Sequence, residues 1–153
     1  MRVVYFICAE SSSLDVQSGR VSIFHILDEV SATALPIFMA SAATVVLFER
    51  EPDDPQVLEA LLSVALNGNE LAKLPINIDF QDKPRHRSLG TIQGMMIPNA
   101  GTVSFSVRYL EKELALFDFR VTYVGTASFQ GVNAANNPST AVTPDAPARQ
   151  TSP

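Results

Sequence analysis

Between Cys8 and Glu29 the chain reads CAESSSLDVQSGRVSIFHILDE, gathering its only cysteine, one of its two histidines, a serine run and several acids. These are the parts of a nucleophilic site: a thiol or hydroxyl, an imidazole base and a carboxylate to orient it. The spacing argues for a β-hairpin instead. If the flanking runs pair about the middle of the link Ser11–Gly19, Cys8 falls opposite Val21 or Ser22. His25 then sits roughly 10 Å further along the ladder, beyond reach of the thiol. A cysteine in an apolar strand is ordinarily a small buried hydrophobe. Ser11, Ser12 and Ser13 lack the Gly-x-Ser-x-Gly elbow that exposes a catalytic serine, so they read as a turn. A hydrolase around Cys8 and His25 is therefore the weakest of three functional readings.

Metal chemistry finds little support. With one cysteine there is no thiolate cluster, and His25 and His86 stand in no His-x-His or His-Glu-x-x-His arrangement. Calcium stays open, because Asp53, Asp54, Asp79 and Asp82 fall in predicted connections where a sandwich can hold the ion. No Asp-x-Asp-x-Asp-Gly loop is present. Gly90 and Gly94 lie inside a strand-like run, where a bulge explains them better than a phosphate loop. No cofactor is expected.

A formal charge of −5 disfavours nucleic acid and anionic membranes, which call for a basic face. The densest basic segment, Lys83-Pro84-Arg85-His86-Arg87, reads as a solvated loop. The opening MRVVYFICAE is too short for a secretory h-region, and no apolar stretch approaches the ~20 residues that span a bilayer. The expectation is a cytoplasmic protein.

The elements that must carry these residues are short strands. Val3–Glu10 is nearly all apolar; Arg20–Leu27, Thr44–Arg50, Ile76–Phe80 and Ser88–Ile97 follow between turn signals. Thr102–Tyr109 alternates strictly, with Val103, Phe105, Val107 and Tyr109 inward. Leu114–Val124 returns with Ala115, Phe117, Phe119, Val121 and Tyr123 inward. Arg108, Asp118 and Arg120 then project from the outer face. Two readings compete over Pro52–Gly68. Asp54 as a cap, Pro55 after it and Gly68 at the end favour a helix. The alternation Leu58, Ala60, Leu62, Val64, Leu66 and the turn pair Asn67-Gly68 favour a strand. The fold class is all-β: a single antiparallel β-sandwich of about seven to eight strands, with or without one short helix within 54–67. It occupies residues 1–124. From 125 to 153 the chain is rich in Ala, Asn, Thr and Pro without periodicity, and is expected to be a disordered tail.

The order of these features resembles the bacterial domain-of-unknown-function 6941 family. The resemblance rests on CAE ending the first strand, Ser18-Gly19-Arg20 leading into VSIFHILDEV, the Ala34-Leu35-Pro36 connection, TVVLFER, LSVALNGNEL and the closing pair GTVSFSVRYLEKELALFDFRV. It departs in Leu35-Pro36, where members commonly have Phe-Pro, and in Cys8-Ala9-Glu10, where many have Cys-Asp. The resemblance implies a sandwich and tips 56–67 toward strand; it carries over no catalytic or binding residue. The leading functional expectation is a non-enzymatic interaction or accessory domain that meets a protein partner, or itself, through His25, Arg108, Asp118 and Arg120. A small-molecule or Ca²⁺ sandwich using the end loops is the alternative.

Overall fold

Strict alternation in two neighbouring runs requires one dry face and one wet face, and that is how the closing hairpin folds. In the computed structural model, which describes residues 1–125, β8 (Gly101–Tyr109) and β9 (Lys112–Tyr123) pair antiparallel around Leu110-Glu111. Both turn residues have positive φ, 48° and 62°, the backbone of a two-residue turn that suits strand twist. Val103, Phe105 and Val107 are fully buried, as are Phe119 and Val121. Tyr123, expected inward, is exposed at the end of its strand.

The contested segment is a strand, β5 (Val57–Leu66), and no helix forms among the described residues. Leu58, Ala60, Leu62, Val64 and Leu66 are all buried. Period-two alternation puts all five on one face of a sheet, which outweighs the local helix signals. Asn67 and Gly68, at φ 50° and 81°, then turn the chain into β6 (Asn69–Asp79). Asp54 caps no helix; its Oδ2 accepts the Glu51 N–H at 2.7 Å in a turn.

The remaining strands are β1 (Arg2–Leu14), β2 (Val21–Ile26), β3 (Glu29–Ala32), β4 (Ile37–Glu49) and β7 (Arg85–Ile97). They complete two sheets: β2-β1-β4-β7, hereafter sheet A, and β3-β9-β8-β5-β6, sheet B. The sandwich is thus present with nine described strands, more than the seven or eight expected. One pair is not antiparallel: β3, unforeseen in the sequence, runs parallel to β9. Its register is tied at both ends, where Arg120 N–H donates to Asp28 O and Val124 N–H to Ala32 O. Arg85, His86 and Arg87 belong to β7, not to a solvated loop, because they continue the β4 ladder opposite Glu49, Phe48 and Leu47. The expected tail lies outside the described residues except for Gly125.

The core fills the space between the sheets, with Phe48, Phe80, Phe105 and Phe119 its largest fully buried side chains. In β4 and β7 the inward side switches partway along. Ala42, Val46 and Phe48 face the core on one side of the switch, and Ile37, Met39, Met95 and Ile97 on the other. Gly94 marks the switch with φ +70°, a conformation that costs an L side chain about 1–2 kcal/mol. The switch turns Phe38 and Met96, cross-strand partners, toward solvent at 67% and 61% exposure.

Candidate interaction surface

The hairpin that carries Cys8 and His25 is longer than its sequence suggested. β1 continues through Ser11, Ser12 and Ser13, so the link is Asp15–Arg20 and not Ser11–Gly19. Pairing runs Ala9 to Ile26, Ser11 to Phe24 and Ser13 to Ser22. Asp15 organises the turn: its carboxylate accepts the Gln17 N–H at 2.9 Å and the Ser18 hydroxyl at 2.6 Å. Those bonds, the Ser18 hydroxyl foremost, hold its carboxyl below the usual range. Cys8 therefore lies level with Leu27, whose N–H donates to Cys8 O at 3.0 Å, and not opposite Val21 or Ser22. The thiol is fully buried in the core cluster, and burial pushes its pKa up, away from the thiolate. His25 points into solvent, with Nδ1 2.8 Å from Glu10 Oε2. Cys8 is sealed in the core while His25 is largely exposed, and no hydrogen bond joins them.

Past Ala9 the hairpin does not continue in the plane of sheet A. Arg87 donates from Nε to the Tyr5 hydroxyl at 3.1 Å and from Nη1 to Gly19 O at 3.0 Å. A straight strand would carry Leu14 about 30 Å from Tyr5. The turn can meet Arg87 beside Tyr5 only if the hairpin folds back across the outer face of sheet A. That accounts for Ala9, Ala43 and Val45, which alternate with core residues and lie outside the core cluster, yet are 0–1% exposed. Ser12, Val21 and Ile23 form the half-buried underside of the hairpin. His25 stands at the bend with φ 55°, a backbone state uncommon for histidine. Phe24 and Ile26 are left facing outward, each about half exposed.

β2 also ends sheet A, so one of its backbone edges is unpaired. It is the only one of the nine described strands with no Asp, Glu, Lys or Arg. Beside it, the corner from β2 to β3 and the upper part of β4 enclose an open cleft of about 350 Å³. Leu27, Val30, Phe38 and Met39 supply its apolar walls, and Glu10 lies at its rim.

The other residues singled out from the sequence do not join this surface. Arg108 is on β8, in sheet B, half-buried near the Leu110-Glu111 turn. Its Nη2 donates to Glu111 O at 3.4 Å, and its buried Nε has no partner among the described residues. Asp118 sits across from Ser104 and Arg120 across from Thr102, which places them about 13 and 20 Å along the ladder from Arg108. The expected Arg108/Asp118/Arg120 cluster is thus dispersed, and His25 belongs to the other sheet. The outer face between them is lined by small side chains: Ser63, Ala65, Ser104 and Ser106.

Two of the four aspartates expected for calcium, Asp54 and Asp79, have their carboxylates engaged otherwise. Asp54 Oδ2 is 2.5 Å from the Met1 ammonium, which also meets Glu51 at 2.9 Å. Burial works against both charges of the Met1–Asp54 pair. The hydrogen bonds and opposite charges outweigh it, so the ammonium pKa is raised and the Asp54 pKa lowered. Asp79 Oδ1 accepts the Gln81 N–H in a turn. Among the described residues no group of three or more His, Cys, Asp or Glu side chains is placed to hold a metal. No described helix is long and apolar enough to cross a membrane.

The sequence missed the fold-back and the open edge. One signal was present: VSIFHI is uncharged between Arg20 and Asp28, while every other strand carries an ionic side chain. No protein-family model matches this chain, and no curated protein matches it.

Proposed function

We propose that this chain is a non-enzymatic protein-interaction domain and that it meets its partner through the β2 side of sheet A. The observation that carries this reading is a pair of outward apolar side chains, Phe24 and Ile26, on an uncharged unpaired strand that runs directly into Leu27, a wall of the cleft that Val30, Met39 and the exposed Phe38 also line. Apolar groups gathered at an open edge mark contact surfaces, whereas single scattered ones do not. The buried thiol and the solvent-facing His25–Glu10 pair support the non-enzymatic half. The surface replaces the dispersed Arg108/Asp118/Arg120 set; of the residues expected from the sequence it retains His25. Residence in a bacterial cytoplasm and kinship with the domain-of-unknown-function 6941 family form part of the same proposal.

Photo-crosslinking tests it. A benzophenone side chain placed at position 38 should give a discrete crosslinked protein band, and one at Leu116, exposed on sheet B, should give none. Equal products from both positions, or none from 38, would overturn the reading. A second reading, a small apolar ligand in the cleft, is favoured by its volume, which falls within the range of ligand pockets. It requires a thermal shift with an apolar dye that Met39→Glu abolishes.

A further inference from the structure

We propose that the slot between the unjoined edge strands β6 and β7 is a binding site for a small, neutral, largely apolar molecule that offers one hydroxyl or carbonyl oxygen to Thr44. The slot lies at the opposite end of sheet A from β2, so it stands independently of the interaction surface proposed above.

The strand order leaves the sandwich open on this side. Sheet A ends in β7 and sheet B in β6, and no ladder joins the two. A row of large inward side chains would fill the gap, and β7 does not supply one. Its residues opposite Val46 and Thr44 are Ser88 and Gly90; Ile92, opposite Ala42, is the large one of the three. Across the gap, Leu62 pairs with Leu74 and Ala60 with Ile76. What remains is a pocket of about 240 Å³, with Leu62, Leu74, Ile76 and Ile92 as its apolar walls. A cavity of about 150 Å³ holds benzene, so this one has room for a six-membered ring and an oxygen substituent.

The base of the pocket is polar. Thr44 is the one buried polar residue among the described ones, at 3% exposure. Its hydroxyl enters none of the side-chain hydrogen bonds among them. A Cβ on Gly90 would stand 2.7 Å from Thr44 Oγ1, so the hydroxyl leans into the space that a side chain at position 90 would take. Both residues line the pocket. A buried hydroxyl without a partner is costly, and one aimed into an open pocket gains its bond from what enters. Because a hydroxyl both donates and accepts, an alcohol or a carbonyl satisfies it. No Asp, Glu, Lys or Arg lines the pocket. An ion would lose its water there without meeting an opposite charge, which selects neutral molecules. Apolar walls around one convergent polar group are the general make-up of small-molecule sites.

Titration of the full chain with phenol and with benzene, followed in amide NMR spectra, tests this. Both probes should give saturable shifts at Thr44, Gly90 and Leu62. Thr44→Val keeps the side-chain shape and removes the hydroxyl; it should lower the ratio of phenol to benzene affinity about tenfold. Leu74→Trp, at the partly exposed mouth, should weaken both probes together. Circular dichroism on each variant separates lost binding from lost folding. Shifts that are absent, or that stay linear to the solubility limit of benzene, mean that the slot holds water alone and overturn the site. Shifts centred on Leu27 and Met39 instead place the probes in the other cleft and overturn it equally. A phenol-to-benzene ratio that Thr44→Val leaves unchanged overturns the role of the hydroxyl.

Discussion

The two long hairpins of this molecule begin from similar sequence logic and end differently. β8–β9 lies flush in sheet B, with β5 on one side and β3 on the other, and Val103, Phe105, Val107, Phe119 and Val121 of its inward row are sealed. β1–β2 leaves its sheet after Ala9, crosses the outer face and ends in an unpaired, uncharged strand. Alternation tells which residues face inward only while a strand has one dry face. The β1–β2 hairpin has a half-dry underside and an open edge, so its apolar residues divide between covering the sheet and remaining available for contact.

That contrast can be broken by substitutions on either side of it. The largest effect belongs to the sealed hairpin: Phe105→Ala should cost about 3–5 kcal/mol in urea unfolding, because the side chain is fully buried against Phe119. Phe24→Ala, half exposed on the other hairpin, should cost under about 1 kcal/mol. Equal costs would erase the distinction. Next comes Gly90→Ala on β7. A Cβ there would stand 2.7 Å from Thr44 Oγ1, inside sheet A, so a loss of about 1–3 kcal/mol is expected in the same measurement. Cys8→Ala should cost about 1–2 kcal/mol from lost packing. A Cys8→Ala variant as stable as the parent chain would contradict the structural role of the thiol.

The smallest effect is in the pH dependence. Glu49, bonded by Arg85 and Arg2, and Asp54, bonded by the Met1 ammonium against its own burial, both have folded pKa values below the ordinary carboxylate range. Their contribution is present above that ordinary range and is lost as pH falls through the lowered folded values. The Met1 ammonium, raised in the folded state, contributes fully below its ordinary 8.0 and loses that contribution as pH rises through the raised value. Melting temperature should therefore be flat between about pH 5 and 8 and fall gently on either side. Glu49→Gln should soften only the acid limb, and salt should reduce both effects. A Glu49→Gln change that leaves the acid limb intact would show that this carboxylate does not contribute.

Much of the fold was legible for physical reasons that can be located. Val103–Val107 and Phe117–Val121 alternate because their hairpin has a single dry face, and Asn67-Gly68 supplies the two positive φ values its turn requires. Between Pro52 and Gly68 local helix signals misled, since capping residues report the ends of a segment and not what packs against its middle. β3 was invisible: four residues, EVSA, contain too little pattern, and the strand is held by a parallel ladder to a partner about ninety positions away. The surface was the least legible part. Arg108, Asp118 and Arg120 were grouped because they share an outward parity, but parity says nothing of height along the ladder. The fold-back of the first hairpin depends on Arg87 reaching both Tyr5 and Gly19, three places no local window connects.

The most direct test is photo-crosslinking from the edge strand itself. A benzophenone side chain at position 24, half exposed on β2, should give one discrete crosslinked protein band, and one at position 74, on the β6 edge, should give none. Equal products from both positions, or none from position 24, would contradict the assignment of β2 as the open edge through which this protein makes contact.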